Sequence, residues 1–249
     1  MINIILYGCG GKMGRTIQAL VNERQDCQIV AGVDVNVCEN TDFPVYHEIA
    51  SIAESADAII DFSHPSSLPF ILDYCKTRNI AAVLCTTGYS DEQVAEIQKA
   101  AATLPLFYSR NMSLGINLLI ELAKKAELIL GDDFDVEIIE KHHNQKIDAP
   151  SGTALMIADA INDTRNNEMK YTYDRHSRRM KRDKSEIGLH AIRGGTIVGE
   201  HEVIFAGRHE TLSLSHSAQS KELFASGAVN AAIFMNHKPA GLYDMSDLV

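Results

Sequence analysis

The chain has 249 residues, 45% of them hydrophobic and 22% charged, a composition that excludes disordered and fibrous proteins. Its 23 Lys and Arg against 33 Asp and Glu give a formal net charge of −10, which argues against nucleic acid as the main partner. No apolar run reaches the ~20 residues of a membrane span, and the first residues lack a secretory pattern. We therefore expect a cytoplasmic protein without a membrane partner.

The cysteines are odd in number and never spaced as Cys-x-x-Cys. They are Cys9, Cys27, Cys38, Cys75 and Cys85. This spacing predicts neither a disulfide framework nor a zinc cluster. Reduced thiols in a cytoplasm agree best with it.

Short apolar segments alternate with helical patterns in the first part of the chain. The segments are residues 2–7, 27–33, 56–62, 81–85 and 106–108. The helical patterns cover about 12–23, a stretch beginning at Pro65, and a stretch beginning at Ser90, where Gln93 completes a capping box. Near-continuous apolar strands alternating with helices predict a parallel sheet covered on both faces.

The pattern changes after about residue 113. A long helix (114–130) precedes residues 134–140, where Phe134, Val136 and Ile138 alternate with acidic residues as in a one-sided strand. Next come a helix at 152–162 and three strands that we expect to be antiparallel, at 187–192, 197–205 and 211–216. We expect a last helix, at 221–235, to return to the first domain. The predicted fold class is α/β, with a Rossmann-like doubly wound parallel sheet plus a second α+β domain with a mixed sheet. The first domain would comprise 1–113 and 221–249, and the second 114–220.

Residues 165–184 form a basic segment, with eight Lys and Arg against three Asp and Glu. Two interpretations are open. The segment is a solvated loop or hairpin, or some of its cations attract an anionic substrate or cofactor.

A glycine-rich motif, Gly8-Cys9-Gly10-Gly11-Lys12-Met13-Gly14, follows the first strand and opens the first helix. Glycines there let the backbone approach a pyrophosphate at the positive end of the helix. Asp34, 20 residues beyond Gly14 at the end of the second strand, can accept a hydrogen bond from a ribose hydroxyl. The alternative is a glycine-rich turn without a ligand. Lys12 and Arg15 would then be ordinary surface cations rather than phosphate partners.

A second polar cluster spans residues 140–153. His142 and His143 are followed by Lys146, and Ser151-Gly152-Thr153 opens a helix whose free backbone N–H groups, with two hydroxyls, form a ready carboxylate site. A histidine exchanges protons near neutral pH, and a lysine can donate a proton or pair with a carboxylate. The alternatives are an exposed strand end and a zinc site. We predict no metal, because adjacent strand residues point to opposite faces and neither histidine belongs to a spaced Cys/His set.

The segment Glu140–Ala154 (EKHHNQKIDAPSGTA) resembles the signature of the 4-hydroxy-tetrahydrodipicolinate reductase (dihydrodipicolinate reductase) family of the bacterial and plant lysine pathway. The similarity covers most of the chain. It includes the glycine motif, Asp61-Phe62-Ser63, Thr86-Thr87-Gly88, Ser109-Arg110-Asn111-Met112-Ser113, Arg193-Gly194-Gly195, Gly199-Glu200-His201 and Gly241-Leu242-Tyr243-Asp244-Met245.

The resemblance implies a role for each matching residue. His142 would be the proton donor and acceptor, and Lys146 the proton donor. The substrate's carboxylates would be bound by His143, Lys146, Ser151, Gly152 and Thr153. NADH or NADPH would be bound by Gly8, Cys9, Gly10, Gly11, Lys12 and Met13, by Asp34 at the adenosine ribose, and on the nicotinamide side by Cys85, Thr86, Thr87, Ser109, Arg110, Asn111 and Met112. It further implies hydride transfer to the ring of a dehydrated dicarboxylate intermediate, giving tetrahydrodipicolinate, and a homotetramer built through the second domain.

The sequence departs from the family's pattern at three places, of which the first two concern the cofactor. Cys85 replaces a usual glycine, Lys221 stands where arginine is frequent, and residues 175–182 (RHSRRMKR) replace a glycine-containing hairpin. None of them touches the His-His-Lys or Ser-Gly-Thr sets.

Two other classes of function compete with this interpretation. One is another Rossmann-type amino-acid dehydrogenase, such as diaminopimelate or aspartate-semialdehyde dehydrogenase. The latter needs a cysteine nucleophile in the second domain, and no cysteine follows Cys85. The other is a non-catalytic NAD(P)H-binding redox sensor, which would not need His142 and Lys146. As to cofactor, Asp34 followed by Val35 and Asn36 favours NADH, because a carboxylate repels a 2′-phosphate. The alternative is use of both cofactors, with Lys12 or Arg15 offsetting that repulsion.

Overall fold

The computed structural model describes residues 1–36, 41–176 and 178–248. They form two compact units, Met1–Leu114 with Lys221–Val249 and Gly115–Ser220. Cys38 lies outside the described residues, and the other four cysteines are buried free thiols. In the described part of the chain no helix is long and apolar enough to cross a membrane.

The first unit is built on a parallel sheet of seven strands. They are β1 (Ile2–Tyr7), β2 (Cys27–Val33), β3 (Val45–Tyr46), β4 (Ala58–Asp61), β5 (Ala81–Leu84), β6 (Pro105–Tyr108) and β12 (Gly241–Tyr243). Their order across the sheet is β12-β6-β5-β4-β1-β2-β3. The chain moves outward in opposite directions from β1 and β4, so the switch point of the doubly wound sheet lies between these two strands.

Helices cover both faces of this sheet, as the near-continuous apolar strands predict. They are α1 (Lys12–Asn22), α2 (Leu68–Arg78), α3 (Asp91–Ala100) and α6 (Glu222–Phe234). Ile4 packs with Ile17 of α1 and Val229 of α6, whereas Ile5 packs on the other face with Ile71 of α2 and Ile97 of α3. The predicted capping box of α3 is confirmed, since Ser90 and Gln93 bond reciprocally.

The second unit combines two helices with a mixed sheet. The helices are α4 (Leu114–Leu130) and α5 (Gly152–Asp163), and the strands are β7 (Asp135–His142), β8 (Lys170–Thr172), β9 (Glu186–Arg193), β10 (Gly199–Ala206) and β11 (Thr211–Ala218). The strand order is β11-β10-β7-β9-β8. Val136 and Ile138 of β7 are fully buried against the helices, as their alternation predicts.

The direction of β9 differs from the expectation. Residues 187–192 were expected to be antiparallel, but β9 pairs in parallel with both β7 and β8, while β10 pairs antiparallel with β7 and β11. The alternating pattern of these residues indicates only that one face of the strand is buried. Parallel and antiparallel strands share that property. The long connection through α5 returns the chain in the same direction, as parallel pairing requires. The short strands β3, β8 and β12 were not predicted, since two or three residues carry too little pattern.

The basic segment 165–184 pairs largely with acidic residues of its own unit. Arg165 contacts Glu127 and Asp132, and Arg175 contacts Glu186. Arg182 bonds to the carboxylates of Asp135 and Glu137 and to the carbonyl oxygens of Val136, Asp183 and Glu186. These three arginines therefore have structural partners, which neither interpretation of the segment foresaw.

Candidate functional site

The glycine motif turns sharply at the carboxyl end of β1. Gly8 has φ +81°, and its N–H donates to the carbonyl oxygen of Val33 at 2.8 Å. A Cβ at Gly8 would lie 2.4 Å from the carbonyl oxygen of Phe62, and one at Gly14 would lie 2.3 Å from that of Gly8. Only glycine therefore allows the turn to sit between β1 and β4 with α1 packed tightly behind it.

The start of α1 is arranged to receive an anion. Its N-cap residue, Gly11, has no side chain to bond the first N–H groups of the helix. The carboxylate of Asp34 lies beside the loop, accepting from the N–H of Gly10 at 2.8 Å and from that of Asn36 at 2.9 Å. A carboxylate has further lone pairs to offer a hydroxyl. The cradle that side chains would fill and the uncapped helix start both fit a dinucleotide.

Three of the sulfur-containing residues predicted to contact the cofactor have buried side chains. Cys9 is fully buried, Cys85 is 5% exposed and Met112 is 3% exposed, and all three belong to the core of the first unit. Burial also raises the pKa of the Cys85 thiol well above its ordinary value. These positions can offer a ligand backbone atoms only.

A buried carboxylate, Asp61, lies at the end of β4 beside the predicted nicotinamide residues. Ser63 donates to it from its N–H at 3.1 Å and from its hydroxyl at 2.5 Å, and Tyr89 donates its hydroxyl at 3.1 Å. The N–H of Ser63 also donates to the hydroxyl of Thr86 at 2.9 Å. Burial raises the pKa of Asp61, and the bonds from Ser63, Thr86 and Tyr89 oppose that rise. Thr86 is thus fixed by neighbours, whereas Thr87 is exposed.

The loop after β6 carries the other predicted nicotinamide residues. The hydroxyl of Ser109 donates to the carbonyl oxygen of Asn111 at 2.9 Å, and the N–H of Ser113 donates to the side-chain oxygen of Asn111 at 2.8 Å. These local bonds fix the loop, and Arg110 points to solvent.

In the second unit every other residue of β7 is buried, and the last two buried residues are polar. Glu140 and His142 follow Val136 and Ile138 on the same inner face. The Nδ1 of His142 lies 2.6 Å from a carboxylate oxygen of Glu140. The side chain of Arg193, from the neighbouring strand β9, bonds both oxygens of that carboxylate at 2.7 Å.

The start of α5 is joined to this group. Ser151 is the N-cap, and its hydroxyl accepts the N–H of Ala154 at 3.1 Å. Its own N–H donates to Glu140 at 2.9 Å, and its hydroxyl lies 3.1 Å from Nε2 of His201. Burial lowers the pKa of His201 to about 4, assisted by His142 nearby, so this ring is neutral at pH 7.

Lys146 follows β7 and pairs with the chain's own Asp148, whose carboxylate lies 2.9 Å from the lysine Nζ. The bond from Lys146 holds the pKa of Asp148 below its usual value, and the backbone N–H of Gly152 contributes. Lys146 and the start of α5 therefore already share one carboxylate. The expectation of free N–H groups at this helix start was wrong for Ser151, because its N–H is taken by Glu140.

The structure thus brings His142, Lys146, Ser151 and Gly152 together around the start of α5. His143 follows directly after β7, and its Nδ1 is buried with no hydrogen-bond partner among the described residues. The same part of the chain holds no group of three or more His, Cys, Asp or Glu side chains arranged for a metal ion.

Comparison with known proteins identifies the family. A model of the N-terminal part of dihydrodipicolinate reductase matches residues 2–112, and a model of its C-terminal part matches residues 115–249. The chain belongs to the dihydrodipicolinate reductase family. It is accordingly an NAD(P)H-dependent oxidoreductase of lysine and diaminopimelate biosynthesis.

Individual relatives agree with this assignment. The 4-hydroxy-tetrahydrodipicolinate reductase of Caldanaerobacter subterraneus subsp. tengcongensis is 50% identical over 249 residues, covering 100% of this chain and 98% of the relative. That of Clostridium tetani is 50% identical over 245 residues, covering 98% and 96%. A solved structure of dipicolinate-bound dihydrodipicolinate reductase from Paenisporosarcina sp. TG-14 matches with a TM-score of 0.82 and 26% identity, covering 100% of both chains. The rival dehydrogenases and the redox sensor are not favoured.

Sequence reasoning gave no role to several residues that the structure places in these sites. Glu140, Arg193 and His201 lie within motifs that carry the family resemblance, but their contacts depend on pairing between β7, β9 and β10. One signal was available for Glu140. The period of two that places Val136 and Ile138 inside also places Glu140 inside.

Proposed function

We propose that this reductase transfers a hydride from NADH or NADPH to the ring of the dehydrated 4-hydroxy-tetrahydrodipicolinate intermediate and releases tetrahydrodipicolinate. The observation that carries the proposal is the carboxylate of Asp148, which lies between Lys146 and the start of α5. A position that accepts the chain's own carboxylate has the chemistry to accept a substrate carboxylate. The dipicolinate bound to the Paenisporosarcina relative is a small dicarboxylate of this kind.

The substrate-binding role is assigned to His143, Lys146, Ser151, Gly152 and Thr153. Lys146 supplies a positive charge whose side chain is 22% exposed, where a charge-assisted hydrogen bond is stronger than in open water. The hydroxyls of Ser151 and Thr153 lie at the start of α5, where the helix dipole favours an anion. Substrate binding requires Lys146 to exchange Asp148 for the substrate.

His142 and Lys146 are assigned the proton transfers. His142 is held in the second unit by Glu140, and a histidine can both donate and accept protons near neutral pH. Lys146 carries donors on a flexible side chain and can protonate the ring beside the carbon that is reduced.

The cofactor is assigned to the first unit. Gly8, Cys9, Gly10, Gly11, Lys12 and Met13 would hold the pyrophosphate, Asp34 the adenosine ribose, and Cys85, Thr86, Thr87, Ser109, Arg110, Asn111 and Met112 the nicotinamide side. When bound, the reduced nicotinamide supplies the hydride. We assign NADH as the preferred form, because Asp34 is fixed by Gly10 and Asn36 where a 2′-phosphate would meet its charge.

The assembly and location stay predictions. We propose a homotetramer built through the second unit, which sedimentation equilibrium would test. We also propose a cytoplasmic location, which the free thiols of the described cysteines support.

The experiment is to follow oxidation of NADH and NADPH with substrate generated in situ from pyruvate and aspartate semialdehyde by the preceding synthase. Substrate-dependent oxidation is the expected result. A folded protein that binds NADH but does not turn over would contradict the assigned substrate and leave the dinucleotide unit standing.

A further inference from the structure

The carboxylate of Glu140 is nearly inaccessible to solvent and is fully engaged. Its side chain is 1% exposed. It accepts three hydrogen bonds, from the N–H of Ser151 at 2.9 Å and from both terminal nitrogens of Arg193 at 2.7 Å, and one of its oxygens lies 2.6 Å from Nδ1 of His142. One carboxylate thereby joins β7, β9 and the start of α5.

Arg193 is itself fixed, so the carboxylate has one orientation. Its terminal nitrogens also donate to the carbonyl oxygens of Ile192 at 2.8 Å and of Asp148 at 2.7 Å. A two-pronged Arg–carboxylate pair sets both the distance and the plane of the carboxylate. The hydrogen bond from Arg193 to the carbonyl oxygen of Asp148 also fixes the backbone of the residue that pairs with Lys146.

The contact with Glu140 determines which nitrogen of His142 carries hydrogen. Burial alone would raise the pKa of Glu140, but the bonds from Arg193, His142 and Ser151 bring that pKa below its usual value. The carboxylate is therefore ionised at neutral pH and can only accept hydrogen bonds. Nδ1 of His142 must then be its donor, which leaves Nε2 as the atom that exchanges a proton with substrate.

Neighbouring groups restrain the same ring. The ring of His201 contacts that of His142 edge to face, with centroids 5.2 Å apart. A Cβ at Gly199 would lie 3.1 Å from Nε2 of His142, which is shorter than an ordinary van der Waals contact. Glycine at this position therefore leaves space beside Nε2.

We propose that Glu140, fixed by Arg193, is the positioning residue that holds His142 in its Nδ1–H tautomer and points Nε2 toward the reacting ring. This role rests on the proposed function of His142 and goes beyond it. A carboxylate that orients a catalytic imidazole keeps the correct nitrogen unprotonated and ready to accept a proton.

The chain contains a matched control on the opposite face of the same strand. Glu137 of β7 lies between Arg182, at 2.9 Å from the arginine Nε, and His190, at 2.7 Å from the histidine Nε2. This is also an Arg–Glu–His set, with His190 on β9 and Arg182 in the connection before β9, and it contains none of the residues proposed to bind substrate. Glu137→Gln therefore measures what losing such a carboxylate does to the sheet alone.

The kinetic test compares Glu140→Gln with Glu137→Gln. Glu140→Gln should lower kcat at least about tenfold, with a smaller change in KM, because the substrate's carboxylates are bound by other residues. Glu137→Gln should keep kcat near the wild-type value. An unchanged kcat in folded Glu140→Gln would overturn the proposal while leaving the reductase activity in place.

A spectroscopic test does not need turnover. In protein labelled with ¹⁵N-histidine, long-range ¹H–¹⁵N correlation distinguishes the two neutral tautomers, and His142→Gln identifies the His142 signal by its loss. We expect the Nδ1–H form in the wild type and its loss in Glu140→Gln. An Nε2–H signal for wild-type His142 would overturn the proposal even if reductase activity were absent.

Discussion

Lys146 and Asp148 form an ion pair beside the start of α5, and this pair links the sequence to the proposed chemistry. The residue types of the segment predicted a carboxylate site, and the family resemblance named its members. Neither could show that Asp148 would occupy that site, because a pairing two residues apart in a loop depends on backbone geometry that no periodicity encodes.

Replacement of Lys146 tests its role as proton donor. Lys146→Ala should lower kcat by about 10²- to 10⁴-fold, the usual contribution of a positioned proton donor. The matched control is Lys141→Ala, since Lys141 pairs with Glu200 at 2.8 Å as a half-exposed surface lysine. The measurement is kcat of both variants and of the wild type by steady-state kinetics. A folded Lys146→Ala protein with near-wild-type kcat would remove the lysine from the mechanism.

Replacement of Asp34 tests the basis of cofactor choice. Two negative charges at contact repel by about 1–4 kcal/mol near a protein surface, so the wild type should favour NADH in kcat/KM by at least roughly fivefold. Asp34→Asn should reduce that ratio by a similar factor, and the exposed Asp42→Asn should not. The comparison is the kcat/KM ratio of NADH to NADPH in the three proteins. A wild-type preference for NADPH would refute the role given to Asp34.

At the scale of elements, β7 shows what a pattern can predict and where it stops. The alternation of Val136 and Ile138 predicted a one-sided strand, and Ser151 marked the start of the next helix; both are present. The parallel pairing of β9 with β7 was not predictable, because it depends on the path of the intervening chain. That pairing is what places Arg193 beside His142.

The contact between β10 and the start of α5 predicts a dependence of stability on pH. His201 has a pKa of about 4 in the folded protein and near 6.5 when solvated, so the unfolded chain binds more protons between these values. The free energy of unfolding should therefore fall as pH drops from about 6.5 toward 4, by on the order of 3 kcal/mol from this residue.

His201→Gln isolates this contribution. Glutamine keeps an amide that can face the hydroxyl of Ser151 but does not titrate, so denaturant unfolding at pH 7 and pH 4.5 should differ less than in the wild type. His209→Gln, at an exposed position after β10, is the matched control and should retain the wild-type slope. Equal slopes in wild type and His201→Gln would contradict the assigned burial effect.

At the scale of the whole molecule, the first unit is assembled from two distant parts of the chain. The apolar strands predicted the doubly wound sheet, and the return of α6 is confirmed by the packing of Ala228 and Val229 against the sheet core. β12 is an edge strand that pairs with β6. It was not predicted, because Gly241–Tyr243 is short and forms a strand only through its hydrogen bonds to β6.

A charge placed in α6 tests whether this return is essential. Ala228 is fully buried, so Ala228→Asp should destabilise the unit by about 3–5 kcal/mol, the cost of an unpaired buried charge. Calorimetry should show a lower Tm and titration a loss of NADH binding. Asn230→Asp, exposed on the same helix, is the control. Wild-type melting of Ala228→Asp would mean that α6 is dispensable for the dinucleotide unit.

The most direct test of the central claim is to follow the hydride itself. The protein would be incubated with NADH deuterated at both C4 positions and with substrate made in situ, and the product analysed by mass spectrometry. The proposed reaction predicts one deuterium in each molecule of tetrahydrodipicolinate. Consumption of the cofactor with no deuterium in the product would contradict hydride transfer to the ring.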